Sequence, residues 1–89
     1  MDFVQYTDEL TLLLTALEQI EREHAFARKR CMHHMEKMLS GDRWAWIFYH
    51  GARQRIAELE ERANIIKKRI GEIELVQWDE ISKQNNRRA

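Results

Sequence analysis

Buriable residues recur at alternating spacings of three and four along most of the chain, in two series separated by a Gly41-Asp42 step. The first runs Phe3, Tyr6, Leu10, Leu13, Leu17, Ile20, His24, Ala27, Cys31, His34, Met38; the second runs Ala45, Tyr49, Ala52, Ile56, Leu59, Ala63, Ile66, Ile70, Ile73. This is the a/d rhythm of a helix packed along its whole length against another. Folding the chain back at Gly41-Asp42 sets Cys31 against Ala52, Ala27 against Ile56, Leu17 against Ile66, Leu13 against Ile70 and Leu10 against Ile73. Each a-type position then meets a d-type one, as antiparallel helices require. The pattern therefore predicts an all-α fold: one long antiparallel two-helix hairpin, coiled-coil-like, over residues 1–81.

Local signals set the expected boundaries. Asp2 with Gln5 three positions on resembles a capping box, and Thr7 offers a later N-cap, so helix one is expected over about 2–39. Lys37 suits the negative pole of that helix, Gly41 can take the left-handed conformation that closes it, and Asp42 is the natural N-cap of the next. Helix two is expected over about 43–81, with a turn at 40–42. Beyond Ile73 the stripe positions are Gln77 and Glu80 while Val76, Trp78 and Ile81 lie off it, which predicts an end or bend near 78–82. Residues 82–89 read as a polar frayed tail. The run Trp44 to Tyr49 has strand-like composition, but a strand needs a partner that the chain does not offer.

Many large apolar residues fall outside the stripe: Leu12, Leu14, Phe26, Met32, Met35, Trp44, Trp46, Ile47, Phe48, Ile65 and Val76. Burying one such side chain contributes about 1.5 to 3 kcal/mol, so leaving the set in water forgoes as much as a small domain's net stability. Two coverings are expected. Flanking positions Leu14, Ala16, Met35, Trp46 and Phe48 widen the stripe enough for a homodimer, a four-helix bundle of two hairpins. The cluster Trp44, Trp46, Ile47 and Phe48 near the turn has the residue types of a contact for a different protein.

Composition narrows the function. Hydrophobic residues are 44% and charged ones 34% with no proline, which suits uninterrupted helices. Lys plus Arg balance Asp plus Glu at fifteen each, so no net field directs the chain to nucleic acid or an anionic membrane. Local crowding is another matter: with flanking positions facing like positions, Glu23 is expected opposite Arg62, Arg28 opposite Arg53 and Arg30 opposite Arg55. Such an arginine band would steer an acidic surface and, less readily, RNA or DNA. One cysteine, an acidic start and no long apolar run point to a reducing, cytoplasmic setting without a membrane span.

Chemistry-bearing clusters are sparse. Glu21 and His24 make a Glu-x-x-His step, and the fold-back brings Glu60 beside them, so a ferritin-like carboxylate/His metal site shared across a dimer is the alternative reading. Cys31, His34 and His50 make a second, three-donor group, one short of the usual zinc set. No catalytic residues are assigned: the chain lacks a nucleophile-base-orienter set and a phosphate-cradling glycine loop. The expectation is a non-enzymatic interaction module without cofactor: an adaptor, small inhibitor or chaperone-like protein contacting its partner through Trp44, Trp46, Ile47, Phe48, Arg28, Arg30, Arg53 and Arg55.

Overall fold

The computed structural model describes residues 3–88, with side chains over 7–84. It is a hairpin of two helices, α1 (Phe3–Leu39) and α2 (Ala45–Arg88), 71 Å long and 19 × 13 Å across. Over the described side chains, every member of the two stripes from Leu10 to Ile73 is buried or half-buried. Leu59 and Ile73 are fully covered, and Ala27 and Ala45 nearly so. Contacts across the seam fix the register. His24 bonds Glu60 and the His34 ring stacks on Phe48, so each residue lies within about one position of the partner that the apolar rhythm assigns.

The reversal is built by backbone geometry. Gly41 has φ of +100°, the left-handed region that costs a side-chain-bearing residue about 1 to 2 kcal/mol. That conformation lets the Gly41 N–H donate to the Met38 carbonyl at 3.0 Å and the Asp42 N–H to the Lys37 carbonyl at 3.1 Å. Ser40 adds a hydroxyl bond to the same Lys37 carbonyl at 2.8 Å. The otherwise unpaired acceptors at the end of α1 are thus satisfied. Asp42 then caps the entry to α2 by accepting the Trp44 N–H on Oδ1 at 3.0 Å. Residues 42–44 are spent in this turn, so α2 starts at Ala45 rather than 43.

The far end departs from expectation. α2 does not end at 78–82 but continues to Arg88. Gln77 and Glu80 hold the next two stripe positions, both half-buried, while Val76, Trp78 and Ile81 stay outside it. With no proline to break it, the hydrogen-bonded ladder carries the helix through a stretch whose apolar side chains have left the seam. The Asp2–Gln5 capping box, the stripe side chains of Phe3 and Tyr6, and the tail beyond Gln84 lie outside the described side chains.

Candidate interaction surface

The two flanks of the seam differ electrostatically. On one, Arg69 makes a two-pronged bond to Glu9 at 2.6 and 3.1 Å and reaches Glu72 at 3.3 Å; Arg55 binds Glu23 at 3.2 Å and lies 3.7 Å from Glu58. The Arg69 hydrogen bond holds the Glu9 carboxyl below its ordinary value, and its two carboxylate partners raise the guanidinium in turn. These groups are about half exposed, so each pair fixes register more than it adds stability. Arg55 therefore takes Glu23, the residue expected opposite Arg62. It still shares a groove of about 420 Å³ with Arg22, Phe26, Ala27, Arg30 and Ala52.

The other flank is largely uncompensated. It has a cross-helix polar contact from His24 to Glu60 at 3.1 Å, beside a smaller groove of about 190 Å³ lined by Ile20, Glu21, Leu59, Ala63, Asn64 and Lys67. Arg53 leans over the Tyr49 ring at 5.9 Å, and no ion pair engages Arg53, Lys67 or Glu74 among the described residues. The four arginines of the expected band are accordingly split: Arg30 and Arg55 line one groove, whereas Arg28 and Arg53 hold flanking positions on the opposite side of the stripe. Arg30 also lies 5.8 Å over the Phe26 ring.

At the turn, Trp44, Trp46, Ile47 and Phe48 are all more than half exposed. Trp44 precedes α2, and Trp46, Ile47 and Phe48 occupy successive directions around its first turn, so the four do not form one flat patch. Trp46 meets His50 edge-on at 4.4 Å, and Phe48 covers His34. That half-buried imidazole is held below its ordinary value, first by loss of solvent and then by electrostatic repulsion from His33, Arg30 and Lys37. Sequence reasoning does not single out the exposed Leu39 and Leu75, although each carries the signal that marks Leu12 and Ile65, a large apolar side chain off the stripe.

Of the metal-ligating sets, the fold brings His24 to Glu60, with Glu21 at the rim of the same groove. Among the described residues no three His, Cys, Asp or Glu side chains converge well enough to hold an ion, which applies equally to Cys31, His34 and His50. His34 and His50 are each turned to an aromatic neighbour. Among the described residues, no helix is long and apolar enough to cross a membrane. Comparisons with protein-family models, curated proteins and solved structures find no match to this chain.

Proposed function

We propose that this protein is a non-enzymatic interaction module: an oligomeric helical hairpin that works, without a cofactor, by binding a larger macromolecular partner in the manner of an adaptor, small inhibitor or chaperone-like protein. One observation carries the reading. Among the described residues fifteen large hydrophobic side chains are exposed on the isolated hairpin, whereas four hydrophobic residues are buried, and of these only Leu59 and Ile73 completely. Single exposed apolar residues are ordinary on a protein surface, but a surface that outweighs its own core needs covering. A 10.8 kDa two-helix hairpin has no interior volume in which to hide them.

The turn end supplies the contact for the partner. Trp44 (73% exposed) and Ile47 (54% exposed) point away from the seam, the aromatic and aliphatic anchors that dominate interface energetics. Arg30, half-clear of Phe26 and next to the groove, supplies a charge for an acidic rim. A single free cysteine suits a reducing compartment, and we place the protein in the cytoplasm.

The test is affinity capture on immobilised hairpin, comparing the natural chain with a Trp44→Ala, Ile47→Ala variant. The expected result is a retained macromolecule lost by the variant while its helical circular dichroism is unchanged. Equal retention by both removes the turn as the contact, and retention by neither removes the partner.

A further inference from the structure

From the same reading of the protein as an oligomeric hairpin, we infer that one specific face of α2 binds a second copy of this chain, antiparallel, about a two-fold axis beside Asn64. The six residues flanking the seam on the uncompensated side are spaced by seven: Trp46, Arg53, Glu60, Lys67, Glu74 and Ile81, all exposed. Their order is complementary to its own reverse. The midpoint of Trp46 and Ile81, of Arg53 and Glu74, and of Glu60 and Lys67 is the same point, between Ala63 and Asn64. An antiparallel second copy centred there sets apolar against apolar at both ends, and cation against anion four times between them.

The adjacent column is centred half a residue from that point, less than 1 Å along the helix, at about 1.5 Å of rise per residue. Ala57 and Gly71 are equidistant from Asn64, so small residues oppose each other on either side of the centre. A Cβ built on Gly71 would meet nothing within 4 Å, so the hairpin itself gives no reason for this helix-interior glycine. Close approach of a second backbone does. Asn64 lies beside the axis, where an amide can donate to and accept from its own copy. His50 of one copy comes opposite Trp78 of the other, adding to a cluster in which Trp46 (56% exposed), Trp78 (70%) and Ile81 (42%) lose their exposure. On α1 the hairpin register then sets Leu14 opposite Ala25; Glu18 and Glu21 also approach, with Glu18 already bound by Arg22 at 2.7 Å.

Other arrangements fail on charge. A parallel dimer along this column sets Arg53, Glu60, Lys67 and Glu74 each against its own copy. The opposite flank of α2, with Phe48, Arg55, Arg62, Arg69 and Val76, reverses into Arg55 against Arg69 and Arg62 against itself. From Trp46 to Ile81 the face runs about 50 Å, long enough for an interface of ordinary size. Trp44 and Ile47 remain outside it, free for the partner.

Sedimentation equilibrium tests this through a charge swap. The natural chain is expected at twice 10.8 kDa. Glu74→Arg, which converts two attractive contacts into repulsive ones, should weaken the dimer about tenfold, and adding Arg53→Glu should restore it. Positions 53 and 74 are about 31 Å apart within one helix, so the restoration cannot arise inside a single hairpin. Independently, with Cys31→Ser, oxidation should link the Asn64→Cys variant to its own copy and leave the Arg53→Cys variant unlinked. This second measurement also decides the matter if Glu74→Arg unfolds the chain. A dimer indifferent to the swap, or one linked through position 53 and not 64, overturns the interface alone. A monomeric natural chain overturns the oligomeric reading with it.

Discussion

Replacing Leu59 by alanine tests whether the seam, with one fully covered residue per few turns, carries the stability of this hairpin. Leu59 is 0% exposed and lies beside Ile20, His24 and Ala63. The change removes three carbons from a site sealed against water, about 2.4 kcal/mol at 0.8 kcal/mol per buried methylene. In a large domain the residual cavity would add to this; here the seam opens onto a solvent-filled groove, so water enters and the cavity contribution stays small. The expected loss is therefore about 2 to 3 kcal/mol, near the lower end for buried leucines. Ile65, six positions along the same helix and 63% exposed, is the control, and Ile65→Ala should change stability by no more than about 0.5 kcal/mol. Urea unfolding followed by far-UV circular dichroism, at one fixed chain concentration, gives both values. A Leu59→Ala loss below about 1 kcal/mol, or one equal to that of Ile65→Ala, would refute the assignment of the core.

Backbone and charge geometry set four further outcomes. Gly51→Ala should stabilise the hairpin by about 1 kcal/mol in the same assay, because an added Cβ meets nothing within 4 Å and alanine is the better helix former. Gly41→Ala should do the opposite, losing about 1 to 2 kcal/mol, since φ of +100° strains any residue with a side chain. Acidification should act through Glu9: its folded carboxyl lies below the ordinary 4.5, so the contribution is complete above that value and disappears as pH falls through the folded one. Glu9→Gln should flatten this acid limb of the unfolding midpoint. His34, also lowered, behaves with the same sign, its neutral form being favoured in the fold; stability should decline as pH drops below its ordinary 6.5, and His34→Phe should remove that step.

The fold is legible in the sequence because its determinants are local or periodic. The three-four rhythm places Leu17, Ile66 and their neighbours on one line, and a single glycine before an aspartate marks where the line reverses. Where the linear pattern misleads, a non-local cause decides. Gln77 and Glu80 look like the loss of a core stripe, yet the helix persists because nothing in its backbone breaks it and the exposed side of a hairpin tolerates a displaced Trp78. A geometric rule of like positions sets Glu23 opposite Arg62, but long side chains slant along the seam, and Glu23 binds Arg55, about two turns away from Arg62, instead. The arginine band is split by the helix geometry itself: Arg28 and Arg53 follow stripe residues and Arg30 and Arg55 precede them, which puts the two pairs on opposite flanks. The self-complementary order of Trp46, Arg53, Glu60, Lys67, Glu74 and Ile81 becomes meaningful once the fold shows which charges the hairpin has already paired.

Every surface of this hairpin depends on the chain reversing at Gly41 so that positions 19 and 65 lie at the same level. Spin labels on Gln19→Cys and Ile65→Cys, with Cys31→Ser, diluted into excess unlabelled protein, measure that separation within one molecule. Helices packed about 10 Å apart predict a label distance below about 30 Å. A continuous rod would hold the two positions about 69 Å apart at 1.5 Å per residue, and a distance near that value would contradict the hairpin.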